Sequence, residues 1–142
     1  EAVRAAQVKK LFDDSLGVCW FNCHGLPGIF SLEIQALSAA TGWQDISAEE
    51  MLALGERIVN MERVFNVSRG LSLEDDLDVG ARMLEPPQDG IAKGKTIAPY
   101  LRDAVLEYYR LMGWEEETGR PLPETLTRLG LQHLVDKIWQ KG

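Results

Sequence analysis

Ser47-Ala48-Glu49-Glu50, running on through Met51-Leu52-Ala53-Leu54-Gly55-Glu56-Arg57-Ile58-Val59-Asn60-Met61-Glu62-Arg63-Val64-Phe65, is the stretch that decides the fold class. Ser47 and Glu50 stand at the spacing of a capping box, in which serine and glutamate side chains satisfy each other's orphan backbone donors at a helix start. Behind the box Met51, Leu54, Ile58, Met61 and Phe65 step by three, four, three and four, a stripe held for about four turns, and Gly70 offers a left-handed stop. A long helix with that stripe facing the core is expected, since a Met-containing stripe is far more often core than a cofactor box.

Upstream, Phe30 to Thr41 reads as a helix, with Ser31 as N-cap, Leu32, Ile34, Leu37 and Ala40 as apolar positions and Gly42 as its stop. Val3, Ala6 or Gln7, Val8, Leu11 and Phe12 recur at helical spacing opposite Arg4, Lys9 and Lys10, so a first helix should run into the corner at Gly17. Gly25, Pro27 and Gly28 break regular structure between these helices. The intervening Val18–Phe30 stretch, rich in Trp20, Phe21, Leu26 and Ile29, is too apolar to lie uncovered.

Downstream the pattern is lost from Leu71 to Gly94, where acidic residues, glycines and prolines outnumber apolar ones. A loop of that length tends to be functional or to lie against another domain. Glu74-Asp75-Asp76 lacks the spaced ligands of a calcium loop and reads as a solvated turn. Pro99 to Met112 is helical again, with Leu101, Ala104, Val105, Tyr108, Leu111 and Met112 on one side and Gly113 closing it. A polar turn follows Trp114, Pro123-Glu124 opens a short helix through Leu126 and Leu129 to Gly130, and a last helix spans about Leu131 to Trp139. With no period-2 alternation of useful length, the class is all-α: an irregular helical domain of five or six helices with a long loop over 71–98.

The chain has 142 residues, 45% of them hydrophobic and 26% charged, which is the size and balance of one globular domain. A formal charge of −7 without any run of Lys or Arg argues against nucleic acid as a partner. Its two cysteines are too few for a disulfide scaffold, which points to a reducing compartment. No apolar run approaches the roughly 20 residues of a membrane span and no signal-peptide pattern opens the chain, so a cytoplasmic location is expected. Glu1 stands directly inside a helical pattern, as in a piece of a longer polypeptide.

The chemistry-bearing candidate is Asp14-Ser15-Leu16-Gly17-Val18-Cys19, where a carboxylate and a thiol are held five residues apart across a glycine turn. A carboxylate can accept two parallel N–H bonds from a flat, donor-rich heterocycle, and a thiolate is a soft ligand for iron–sulfur clusters or zinc. The structural alternative is a helix end with Gly17 as a left-handed stop and Cys19 as a small buried hydrophobe. Cys19, Cys23 and His24 form a three-ligand set on paper, but a structural zinc site wants four ligands and nothing elsewhere supplies them. Cys23 itself reads as a buried inert thiol. Neither a phosphate-binding glycine loop nor a nucleophile elbow is present, and no triad forms around His24 or His133. A chain that contributes only the last, sequence-distant thiolate of a four-cysteine cluster would carry a lone cysteine like Cys19.

Asp14-x-x-Gly17-Val18-Cys19 followed by Phe21 resembles the pterin-and-cluster motif near the C-terminus of tungsten-containing aldehyde ferredoxin oxidoreductases. The resemblance continues in order through Gly42-Trp43, Glu56-Arg57-Ile58, Asn60 to Asn66, Gly70, Asp75-Asp76, Glu85-Pro86-Pro87, Gly90 to Gly94 and Tyr108 to Trp114, ending near Leu126 to Leu131. It implies that residues 1–142 are the C-terminal α-helical domain of a larger oxidoreductase, whose N-terminal β domain and central helical region lie outside this chain. Asp14 then matches the carboxylate that hydrogen-bonds a pterin of a tungsten (or molybdenum) bis-pyranopterin. Gly17 and Val18 shape the turn against it, and Cys19 matches the fourth thiolate, and so the metal ligand, on a [4Fe–4S] cluster. The activity implied is oxidation of aldehydes to carboxylic acids, with electrons leaving through the cluster to ferredoxin or another electron-transfer partner. The remainder of the same enzyme is the first partner implied, and a second copy of the chain is a further candidate.

Departures from the family pattern bear on the substrate. Val18 stands where Leu is commoner, an arginine is displaced by one position in Asn66 to Gly70, and Asp76 to Arg82 lacks the Leu-Pro pair usual before its arginine. The upstream three-cysteine motif is absent, so no catalysis is expected of this chain alone. The competing class is a helical interaction or scaffolding module that keeps the family fold without cofactors.

Overall fold

A computed structural model describes residues 1–23 and 25–139, without the side chains of Asn22 and Cys23, and its organising element is the long helix expected from the capping box. Numbered in chain order, the helices are α1 (Ala2–Ser15), α2 (Trp20–Cys23), α3 (Ile29–Thr41), α4 (Ala48–Val67), α5 (Leu73–Leu77), α6 (Ala81–Leu84), α7 (Leu101–Met112), α8 (Pro123–Arg128) and α9 (Val135–Trp139). Among the described residues the β pairing is a single bridge between Trp114 and Pro121, so the chain is all-α. The box forms as drawn: the Glu50 N–H donates to Ser47 Oγ at 3.1 Å and the Ser47 N–H to Glu50 Oε2 at 2.8 Å.

The face that α4 buries is not the expected stripe. Met51, Gly55, Glu56, Val59, Asn60, Arg63 and Val64 are buried, whereas Met61 and Phe65 are 48% and 55% exposed. The reason is close approach. Gly55 abuts the Val8 backbone of α1, where a Cβ would run into the Val8 carbonyl oxygen, and the glycine lets the two axes come together. The buried polar residues stay in because each meets a partner. Glu56 accepts from Arg4 of α1 at 3.0 Å and from Arg128 of α8 at 2.7 Å, and Asn60 accepts from the Trp114 indole at 2.9 Å. Val3, expected on the inner face of α1, is instead exposed, and Val8, Phe12 and Asp13 are the buried residues.

Further boundaries differ, among them those of the helix after Gly28 and of the 71–98 stretch. The helix read from Phe30 begins at Ile29 behind Gly28, so Ser31 lies inside α3 and its Oγ accepts from Gln35 rather than capping backbone. The 71–98 stretch holds two short helices, α5 and α6, leaving 85–97 irregular. There Ser72 donates its N–H and hydroxyl to Asp75 Oδ2 at 2.8 and 2.9 Å, and Leu73 anchors α5 in the core. With α2 these short pieces raise the number of helices above the expected five or six. The core itself falls into two clusters: Val59, Leu73, Tyr109, Met112 and Trp114, and Val64 with Leu126, Leu129, Leu131, Leu134 and Ile138.

Candidate functional site

The last turn of α1 places two consecutive aspartates in opposite environments. Asp13 is fully buried and accepts from Lys9 Nζ at 2.6 Å, which also donates to the buried Glu33 of α3 at 3.3 Å. Burial pulls the Lys9 ammonium pKa down, but hydrogen bonds to Asp13 and Glu33, and their charges, outweigh it and hold the pKa above the usual value. Asp13 Oδ1 and Glu33 Oε1 accept no hydrogen bond from any described residue. Asp14, one step round the helix, faces solvent with a side chain 42% exposed and accepts from Lys10.

The chain then reverses. The Leu16 N–H donates to the Phe12 and Asp13 carbonyls, Gly17 to Asp14 and Val18 to Asp13, and Gly17 takes φ of 71°, a left-handed conformation that costs other residues. Val18 is half-buried and Cys19, just before α2, is an exposed free thiol. The corner is therefore a helix stop, as the structural alternative held, but the thiol is not a buried hydrophobe. Asp14 and Cys19 flank one turn and both face outward. One carboxylate oxygen of Asp14 carries the lysine and leaves acceptor capacity over, so the donor set suits a donor-rich heterocycle and a soft metal centre. His24 and the Cys23 side chain lie outside the described residues, so the Cys19, Cys23 and His24 grouping is not described. Among the described residues no three His, Cys, Asp or Glu side chains are grouped to hold a metal ion.

A second polar centre was not expected. Arg63 of α4 donates Nε to the Gly119 carbonyl at 2.8 Å, Nη1 to Asp76 at 2.6 Å and Nη2 to the Tyr109 hydroxyl at 2.8 Å, and Tyr109 in turn donates to Asp76. The guanidinium also lies 4.6 Å from the Trp114 ring centroid. Asp76 is thus engaged by Arg63 and Asp75 by Ser72, so the acidic turn is part of the packing rather than a free carboxylate cluster. Burial pushes the Tyr109 phenol up to about 12, with its bond to Asp76 adding to the shift, and burial does the same to Tyr108. Beside these groups lies a cleft of about 410 Å³ between α1 and α7, with Val3 and Gln7 on one wall and Tyr108 on the other. The available signal was the spacing of Glu56, Asn60 and Arg63, which puts three polar residues on one face of α4, though Arg57 and Glu62 beside them are as polar and stay exposed.

Residues 1–131 match the model of the family described as aldehyde ferredoxin oxidoreductase, domains 2 and 3. The chain belongs to that family. It is 40% identical over 119 residues to the tungsten-containing aldehyde ferredoxin oxidoreductase of Pyrococcus furiosus, a match covering 83% of this chain and 19% of the relative. Identity to the enzymes of the same name from Pyrococcus abyssi and Thermococcus kodakarensis is 38% and 39% over 123 residues, covering 86% of this chain and 19% of each relative. The chain thus spans about a fifth of the length of the aldehyde ferredoxin oxidoreductases it matches. The resemblance read from Asp14 to Leu131 and the all-α class both stand.

Proposed function

We propose that this chain is the C-terminal helical part of a tungsten-pterin oxidoreductase that converts aldehydes to carboxylic acids and passes electrons through a [4Fe–4S] cluster to ferredoxin. The observation that carries the reading is the outward-facing pair, Asp14 and Cys19, on the Gly17 corner of a chain that belongs to the aldehyde ferredoxin oxidoreductase family. When bound, the metal-pterin supplies the two-electron oxidation and the cluster the one-electron relay. The residues of this chain bind and orient. Asp14 would accept N–H donors of the pterin, Gly17 lets the backbone reverse after it, half-buried Val18 shapes the turn, and Cys19 would offer a thiolate to the cluster. Ferredoxin as acceptor and a cytoplasmic location belong to the same reading. In support, no helix among the described residues is long and apolar enough to cross a membrane.

The test uses the full-length polypeptide purified without oxygen. Tungsten and iron should both be present by elemental analysis; absence of both defeats the enzyme reading and leaves the scaffolding one. Cys19→Ala should abolish the cluster's electron-paramagnetic-resonance signal while the far-ultraviolet circular dichroism stays helical, and an unaltered signal removes Cys19 as ligand. Asp14→Asn turns one acceptor into a donor facing donors, at about 1–3 kcal/mol, so pterin retention should fall about fivefold or more. Wild-type pterin and tungsten content in Asp14→Asn would remove Asp14 from that role.

A further inference from the structure

The Gly17 corner rests on a buried cluster of charge that does not balance. Lys9 Nζ donates to Asp13 of its own helix at 2.6 Å and to Glu33 of α3 at 3.3 Å, so two carboxylates share one ammonium. Asp13 and Glu33 are both buried, and Asp13 Oδ1 and Glu33 Oε1 accept no hydrogen bond from any described residue, so no further donor offsets the excess. One negative charge is left over, and with both carboxylates out of water it is little screened. Packing does not explain it. Apolar residues would join two helices as well as a buried ion pair does, and the same turn of α1 already meets α3 through the edge-to-face rings of Phe12 and Phe30, 5.5 Å apart.

The charge lies against Cys19 from both sides in sequence. The Asp13 carbonyl accepts the Val18 N–H at 3.2 Å, one residue before the thiol. Lys9 and Trp20, one residue after the thiol, line a common cavity of about 200 Å³. Asp14 is paired with Lys10, which leaves that exposed pair neutral. We infer that Lys9, Asp13 and Glu33 form a charge centre that sets the reduction potential of the cluster held through Cys19, the excess negative charge keeping that potential low. The inference rests on the proposed function above and adds three residues to it. A negative charge nearby makes an added electron costlier, and net charge around an iron–sulfur cluster is one of the levers that fix its potential. A cluster that passes electrons on to ferredoxin has to hold them loosely.

The experiment is a redox titration of the full-length enzyme, purified without oxygen and followed by electron paramagnetic resonance, which reads the cluster and not turnover. Glu33→Gln and Asp13→Asn each remove one negative charge and keep an oxygen for Lys9, so each should raise the midpoint. Lys9→Met removes the positive charge and should lower it. At a fixed solution potential each should move the oxidised-to-reduced ratio about threefold or more, which is roughly 30 mV for one electron. Asp136→Asn makes the same change of net charge at an exposed position on α9 and should leave the midpoint in place. A role in packing alone gives no dependence on the sign of the charge, so midpoints that stay put, or that move the same way in all three variants, would overturn the inference. If Lys9→Met does not fold, the two amide variants carry the test, since both must raise the midpoint while Asp136→Asn does not. The proposed function fails separately. An unaltered cluster signal in Cys19→Ala rejects Cys19 as ligand and this inference with it, whereas a lost signal there beside unmoved midpoints in the charge variants rejects the charge centre alone.

Discussion

Arg63 shows how a charged residue can be a structural centre. Its three donor nitrogens meet a backbone carbonyl, a carboxylate and a phenol on three different segments, and the indole of Trp114 covers its flat face. Arg63→Met would leave the Gly119 carbonyl without its donor and the Asp76 carboxylate with the Tyr109 hydroxyl in place of a guanidinium. About 3–5 kcal/mol of stability should be lost in urea unfolding. Arg63→Lys should recover less than half of it, because an ammonium on a flexible stem cannot reproduce the fork; near-wild-type stability in Arg63→Lys would show that only the charge matters. The same cluster sets an alkaline limit. Tyr108 and Tyr109 ionise at about 12 in the folded chain, above the ordinary 10 or so of an exposed phenol. Since the folded values are the higher ones, stability is unaffected below about pH 10 and is lost as pH rises from about 10 to 12. Tyrosinate absorbance should show a step near pH 12 that moves to near pH 10 in urea, and an absence of that movement would contradict the burial of both phenols.

Helix α4 tests what a hydrophobic pattern can and cannot tell. Its start was legible from Ser47 and Glu50, and Ser47→Ala should cost about 1 kcal/mol in urea unfolding. Ser31→Ala should cost close to nothing, since Ser31 lies inside α3 and caps no backbone group. The inner face of α4 was not legible, because the helix has two apolar sides and spacing alone does not say which of them this chain covers. Met61 and Phe65 continue the more regular stripe, but Gly55 permits the close contact with α1, and Glu56, Asn60 and Arg63 find partners only on that side. Gly55→Ala separates the two views. On an open helix face alanine should stabilise by about 1 kcal/mol. Against the Val8 carbonyl, which is backbone and cannot rotate aside, overpacking of about 1–3 kcal/mol or more outweighs that gain. The urea midpoint should therefore fall, and a rise would place α1 farther from α4 than described.

Seen across the whole molecule, the all-α class and the family were legible because caps, glycine stops and the Asp14 to Cys19 motif are local signals. The arrangement of faces was not, because Met61 and Phe65 complete a regular apolar stripe yet stay exposed, while Gly55, Asn60 and Arg63 turn inward. The same distinction separates the extent of the family match from the extent of the packed unit. The match ends at residue 131, yet Leu134 and Ile138 are buried against Val64, Leu126 and Leu129, and the Trp139 indole donates to the Pro121 carbonyl at 2.8 Å. Cutting the chain after Leu131 exposes that side of the cluster and removes two buried aliphatic side chains at about 1.5–3 kcal/mol each. The loss is a large share of the roughly 5–15 kcal/mol that holds a domain folded. It should lower the thermal midpoint by on the order of 10 °C or more at this chain length. Asp136→Asn, an exposed position on the same terminal helix, should leave the midpoint unchanged. A truncated chain that melts with the intact one would mean that residues 132–139 rest on the domain without supporting it. A large loss in the truncation beside a silent Asp136→Asn would place the boundary of the folding unit beyond the boundary of the sequence family, set by the second core cluster rather than by the motif-bearing corner.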